Sequence, residues 1–213
     1  MKNSKIAVGL MACGLALMLL AGGLAGWNLW EDRRAAREAE EMLAWMEPLR
    51  LNLPRQEEEA ELEEEVVIPD YVLAPDMKMP TENVDGWDYV GMLEIPALGL
   101  TLPIIDQWSY PALRKAPCRY TGSAYQGSMV VAGHNYTSHF GRLHTLLTGD
   151  EIRFIDMDGN LFTYEVTLLE TLGPKAVDEM KSDVWDLSLF TCTVGGGARV
   201  TVRCLLREES IGD

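Results

Sequence analysis

Residues 152–169 read IRFIDMDGNLFTYEVTLL, and this stretch decides the fold class. Phe162, Tyr164, Val166 and Leu168 alternate with Thr163, Glu165 and Thr167. That period of two is the pattern of a strand with one buried face. Asp158-Gly159, between this run and Ile152–Ile155, is a strong two-residue hairpin signal. Working outward, further short apolar runs occur at Met92–Ile95, Leu100–Ile105 and Ser128–Ala132. A last pair, Leu187–Thr193 and Val200–Leu206, is joined through Gly195-Gly196-Gly197. Within this part of the chain, helical patterns are confined to residues 140–147 and 176–182. From Gly86 onward the chain therefore reads as mostly β, a barrel or sandwich of seven or eight strands with small helices.

The 213 residues suit one domain with appendages, and a hydrophobic content of 47% is enough for a core. The net charge of −15 argues against a nucleic-acid partner, because nothing neutralises phosphates in bulk. Four cysteines are too few for a disulfide-dense scaffold.

Charge divides the chain into three parts. Residues 1–30 carry two lysines and no acid, residues 31–85 a net −11, and residues 86–213 a net −6. No charge interrupts Ile6 to Trp30. As a helix those residues would run about 37 Å, enough to cross a hydrocarbon core. Trp27 and Trp30 would sit at the interface, and the expected element is an uncleaved membrane anchor spanning residues 6–30. A cleaved signal peptide is the competing reading, without an Ala-x-Ala site to support it. Residues 31–47 are strong helix formers that should end near Pro48. Seven glutamates at 57–65 then mark a solvated, self-repelling connection. Residues 31–85 are thus expected to form an acidic, helical or disordered stalk.

The residues that carry chemistry lie at strand ends. His134 closes the run Val130-Val131-Ala132-Gly133-His134-Asn135, where a loop can present it. His139 and His144 read as surface groups. The three histidines match no zinc spacing, so neither a metal nor another cofactor is expected. Cys192 ends Leu189-Phe190-Thr191-Cys192, just before the glycine loop. Cys118 and Cys204 read as small core hydrophobes, and no structural disulfide is expected. Arg199 lies on the strand face opposite Val200, Val202 and Cys204. His134, Cys192 and Arg199 on one rim would suit acyl transfer by a thiol. A thiolate attacks a carbonyl, an imidazole moves protons, and a guanidinium steadies the oxyanion.

At these residues the chain resembles the sortases, membrane-anchored cysteine transpeptidases of Gram-positive bacteria. Met92–Pro103 (MLEIPALGLTLP) is similar to the family's opening strand pair. Ala132-Gly133-His134-Asn135 is similar to its histidine motif, and Phe140–Asp150 (FGRLHTLLTGD) to the segment that follows. Leu187–Cys192 (LSLFTC) resembles the T-L-x-T-C nucleophile motif, and Arg199 the arginine that opens the last strand. The resemblance covers residues 86–208 in order. It departs in three places: Ser188 stands where the motif has Thr, only six residues separate Cys192 from Arg199, and the segment 171–186 is short. The short loop leaves Arg203 as an alternative arginine, and the class stays open.

The resemblance implies a closed eight-stranded β-barrel over residues 86–213, with short helices and an N-terminal transmembrane helix before it. It implies that Cys192 takes an LPXTG-like sorting signal as a thioester, and that an amine from a cell-wall precursor or a pilin lysine resolves it. His134 would be the acid/base, Arg199 the oxyanion partner, and Thr191 a substrate contact. The catalytic domain would lie outside the cell membrane on a single span. Two other classes stay open: a different Cys/His peptidase, and a non-catalytic, membrane-tethered surface-assembly module.

Overall fold

The computed structural model describes residues 2–51 and 68–207, in two units, 1–34 and 35–213. The glutamate run at 57–65 lies outside the described residues. Helix α1 (Lys2–Leu51) begins in the first unit. There it is long and apolar enough to cross a membrane. Leu15, Leu17, Leu20 and Leu24 stand exposed, and the Trp27 and Trp30 rings lie 5.4 Å apart. The helix does not stop at Pro48, which it contains, but runs one turn further to Leu51.

The second unit takes in the rest of α1 and all the strands. After the short α2 (Asp70–Leu73) come β1 (Glu82–Val84), β2 (Trp87–Ile95), β3 (Leu100–Ile105) and α3 (Tyr110–Lys115). Then follow β4 (Cys118–Thr121), β5 (Met129–Ala132), β6 (Glu151–Asp156) and β7 (Leu161–Leu172). Last come α4 (Val177–Met180), β8 (Leu187–Cys192) and β9 (Arg199–Leu206). The sheet order is β1-β2-β3-β4-β5-β8-β9-β7-β6, and a β2–β6 pairing closes it. Eight strands therefore form the barrel, with β1 paired outside it along β2.

Closure requires two strands to meet on β2. Met92 pairs with Pro103 on one side and Ile155 on the other. The register slips between Tyr89 and Gly91, and Gly91 has φ of 152°. A Cβ there would lie 2.2 Å from the Ile155 carbonyl oxygen, so only glycine lets the strands approach.

The barrel interior holds Leu93, Ile95, Leu102, Ile104, Val131, Phe154, Tyr164, Leu189 and Val202. Alternation on β7 holds for Phe162, Tyr164 and Val166 and then breaks. A bulge between Val166 and Leu168 turns Leu168 outward, 40% exposed, and brings Leu169 against the core. The helix expected over 140–147 contracts to one 3-10 turn at Leu143–Thr145. β4 was not visible as a strand in the sequence: its four residues contain Arg119 and pair with β3 at one position only.

A second cluster lies outside the barrel wall. Ala35, Ala39, Met42 and Met46 of α1 are buried, at spacings of four, three and four residues; Ala39 packs with the main core, and Met42 and Met46 with this second cluster. Such spacing forms one stripe along a helix. Met42 and Met46 pack with Tyr89, Met92, Ile105, Ile155 and Cys118, and with Ala112 of α3 and Ala116 at its end. Glu38 reaches Lys115 Nζ at 4.0 Å at the rim of this contact. From Ala35 on, α1 is thus a packed part of the barrel unit.

Two outcomes follow from this cluster. Met46 is 0% exposed. Met46→Ala should lower unfolding stability by about 2–5 kcal/mol, read as a lower denaturant midpoint at unchanged slope. Burial also pushes the Cys118 thiol up from 9.0 to about 12. Burial, followed by Asp85 and Glu38, pushes the Tyr89 phenol up from 10.0 to about 12. Both stay neutral in the folded chain at pH values where the unfolded chain ionises. Their contribution is complete below about pH 9 and is lost as the pH rises toward 12. Denaturant midpoints should fall across that interval, and a flat profile would contradict the burial argument.

Candidate active site

Strand β8 places the nucleophile candidate. It runs parallel to β5, with Ala132 beside Phe190, and the Gly133 N–H extends the ladder to the Phe190 carbonyl at 3.0 Å. His134 is the next residue on one chain, and Cys192 lies two beyond Phe190 on the other. On its other edge β8 is antiparallel to β9, and Cys192 stands directly opposite Arg199. All three residues predicted to carry chemistry leave the barrel at the same rim.

Gly133 is needed for this exit. A Cβ on it would lie 2.3 Å from the Phe140 ring, which fills the barrel under the loop. Beyond it the His134 imidazole stacks on Tyr136, with centroids 3.8 Å apart and planes 14° apart. Tyr136 also faces His139 at 5.5 Å. His139 is fully buried, so it is not the surface group expected; His144 is exposed, its Nδ1 3.1 Å from the Gly141 carbonyl.

Cys192 is half-buried and borders a groove of about 290 Å³ on the outer face of β8. Phe190, Ala132 and Gly133 border it from the sheet, and Arg199 from β9. One wall is Trp108, Tyr110, Leu113 and Tyr120; the other is Gly173, Pro174, Ala176, Val177 and Met180. Trp108 meets Tyr120 edge-on at 5.9 Å, and Tyr120 meets Phe190 edge-on at 5.5 Å. Such tilted contacts fix aromatic walls in place. The sequence offered these aromatics no periodicity to reveal them; their proximity is a product of the barrel.

Thr191 faces inward with Leu189, opposite Val200, and is 4% exposed. Its hydroxyl has no hydrogen-bond partner among the described residues. Arg199 donates from Nη1 to the carbonyls of Gly196 at 3.1 Å and Ala198 at 3.0 Å. Its other guanidinium donors bond to none of the described residues. Arg203 shares that strand face but is 1% exposed and stands opposite Ser188, away from Cys192. Among the described residues no three His, Cys, Asp or Glu side chains cluster as metal ligands.

A family model described as the sortase domain matches residues 93–207, and the chain belongs to the sortase family. Sortase D of Bacillus subtilis (strain 168) is 32% identical over 107 residues, 48% of this chain and 53% of that protein. The chain thus spans about half the length of that curated relative. Sortase A from Corynebacterium diphtheriae superposes with a TM-score of 0.53 at 20% identity, over 60% of this chain and 64% of that one. Sortase C1 from Streptococcus agalactiae gives 0.53 at 21% identity, over 69% and 80% of the two chains. At that identity the likeness speaks for the barrel.

The thiols differ sharply in surroundings. All four are free, Cys118 and Cys204 are 0% exposed, and burial raises both thiol pKa values. In the folded full-length chain, iodoacetamide should label Cys192 and leave Cys118 and Cys204 untouched until denaturant is added, as read by peptide mass mapping.

Proposed function

We propose that this chain is a cysteine transpeptidase that processes LPXTG-like sorting signals, with Cys192 as nucleophile. The observation that carries this reading is the double pairing of β8, which sets Ala132 beside Phe190 and Cys192 opposite Arg199. It supports a thiol and a guanidinium bordering one groove, with the imidazole following Gly133 at the same end of the barrel.

The Cys192 thiolate attacks the threonine carbonyl carbon of the signal, and the carbonyl oxygen takes the negative charge. Arg199 stabilises that oxygen with its planar donors. The tetrahedral intermediate collapses, the amide C–N bond breaks, and His134 gives a proton to the leaving amine. A thioester on Cys192 remains. An amine from a cell-wall precursor or a pilin lysine loses a proton to His134 and attacks the thioester. The new amide forms as the thiolate leaves. Thr191 contributes through its backbone at the groove rather than through its inward hydroxyl. The apolar walls suit the Leu-Pro portion of such a signal.

In this reading residues 1–30 anchor the chain by a single pass and residues 86–213 work on the outer side of the cell membrane. Anchoring confines enzyme, sorting signal and amine to one surface.

Cys192→Ala should abolish transfer of an LPXTG-type peptide to an amine. His134→Ala should cost about 10²–10⁴ in rate, the range of a lost general acid. Arg199→Lys should impair transfer severely, because an ammonium lacks the fork. His144→Ala should retain most activity. Chromatographic detection of the joined product reads all four, and transfer by Cys192→Ala would end the proposal.

A further inference from the structure

The segment between β7 and β8 forms one wall of the groove, yet little in it is self-supporting. α4 is a single turn of four residues, and no side chain caps its N-terminus. Isolated turns of that length are not stable in water. Something outside the segment must hold it.

That holder is Arg203. Its guanidinium is 1% exposed and donates in four directions. Nε donates to Glu170 Oε1 of β7 at 2.7 Å. Nη1 donates to Ser188 Oγ of β8 at 2.8 Å and to the Met180 carbonyl at 3.2 Å. Nη2 donates to the Glu179 carbonyl at 2.6 Å. One side chain of β9 therefore ties two neighbouring strands to the last turn of α4. Met180 completes the link, because it lines the groove while its carbonyl is held from below. On the far side, Lys181 Nζ lies 5.6 Å over the Tyr120 ring in the opposite wall.

We infer that Arg203 is a positioning residue that holds the α4 wall of the Cys192 groove ready for the peptide. The inference rests on reading that groove as the sorting-signal site. Arg203 takes no part in the chemistry: it stands at the Ser188 rung, four residues from Arg199 on the same strand, with its donors spent on protein acceptors. Its contribution is to binding.

Hydrogen exchange on the full-length chain in detergent tests the clamp without reference to activity. The Met180 and Lys181 amides, which bond to the Ala176 and Val177 carbonyls, should exchange within about tenfold of the β8 amides. Exchange as fast as in the Gly195-Gly196-Gly197 loop would overturn the inference. Arg203→Lys supplies the second arm, since one ammonium cannot reach four acceptors in fork geometry. KM for an LPXTG-type peptide should rise about tenfold, while kcat and the iodoacetamide rate of Cys192 stay within about twofold. An unchanged KM, or a joint fall in kcat and alkylation, would equally overturn it. Should the unaltered chain process no such peptide, the proposed function fails, and the exchange rates still decide the clamp.

Discussion

β8 is hydrogen-bonded along both edges, and the arrangement of the site follows from that. The parallel edge to β5 delivers His134 and the antiparallel edge to β9 delivers Arg199. A slip of one residue on either edge would turn the partner side chain to the opposite face. The register is defended from inside the barrel. Leu187 and Leu189 pair with Cys204 and Val202, all fully buried. Packing of these apolar groups fixes, by the alternation of the strand, what Cys192 meets outside.

The outer surface of the barrel is covered in two places. α1 and α3 cover β2, β3 and β6 around Met92, Ile105 and Ile155. The segment carrying α4 covers β8 and β9 at Ser188 and Arg203. The groove is what remains open between α3 and α4. A covered outer face also explains the sequence patterns. Met92-Leu93 and Ile104-Ile105 are continuous apolar pairs because both faces of their strands are buried. β7 alternates because its outer face meets water.

Strands with such strong patterns were legible in the sequence, as was the place of Cys118 and Cys204 in the core. Other features depend on what tertiary structure lays over a residue. Arg203 shows the same parity as Arg199 and reads alike in sequence, but only one of them lies beneath α4. His139 looks like a loop residue, and its burial comes from the fold of 133–146 over Phe140. α3 has six residues with a proline in its first turn, and its Ser109 cap is its one local signal. The stripe Ala35, Ala39, Met42 and Met46 is visible as spacing, yet nothing nearby names its partner surface.

Because α1 packs on the barrel from Ala35, the acidic run beyond it has a different topological role from a tether. The glutamates at 57–65 fall in a connection whose two ends are both fastened to one body. Its length is a matter internal to that unit. It sets the local concentration of helix against barrel, which changes only slowly as such a loop grows. Residues added between Leu51 and Ile68 should therefore change the fold little, because both of those described ends belong to one unit.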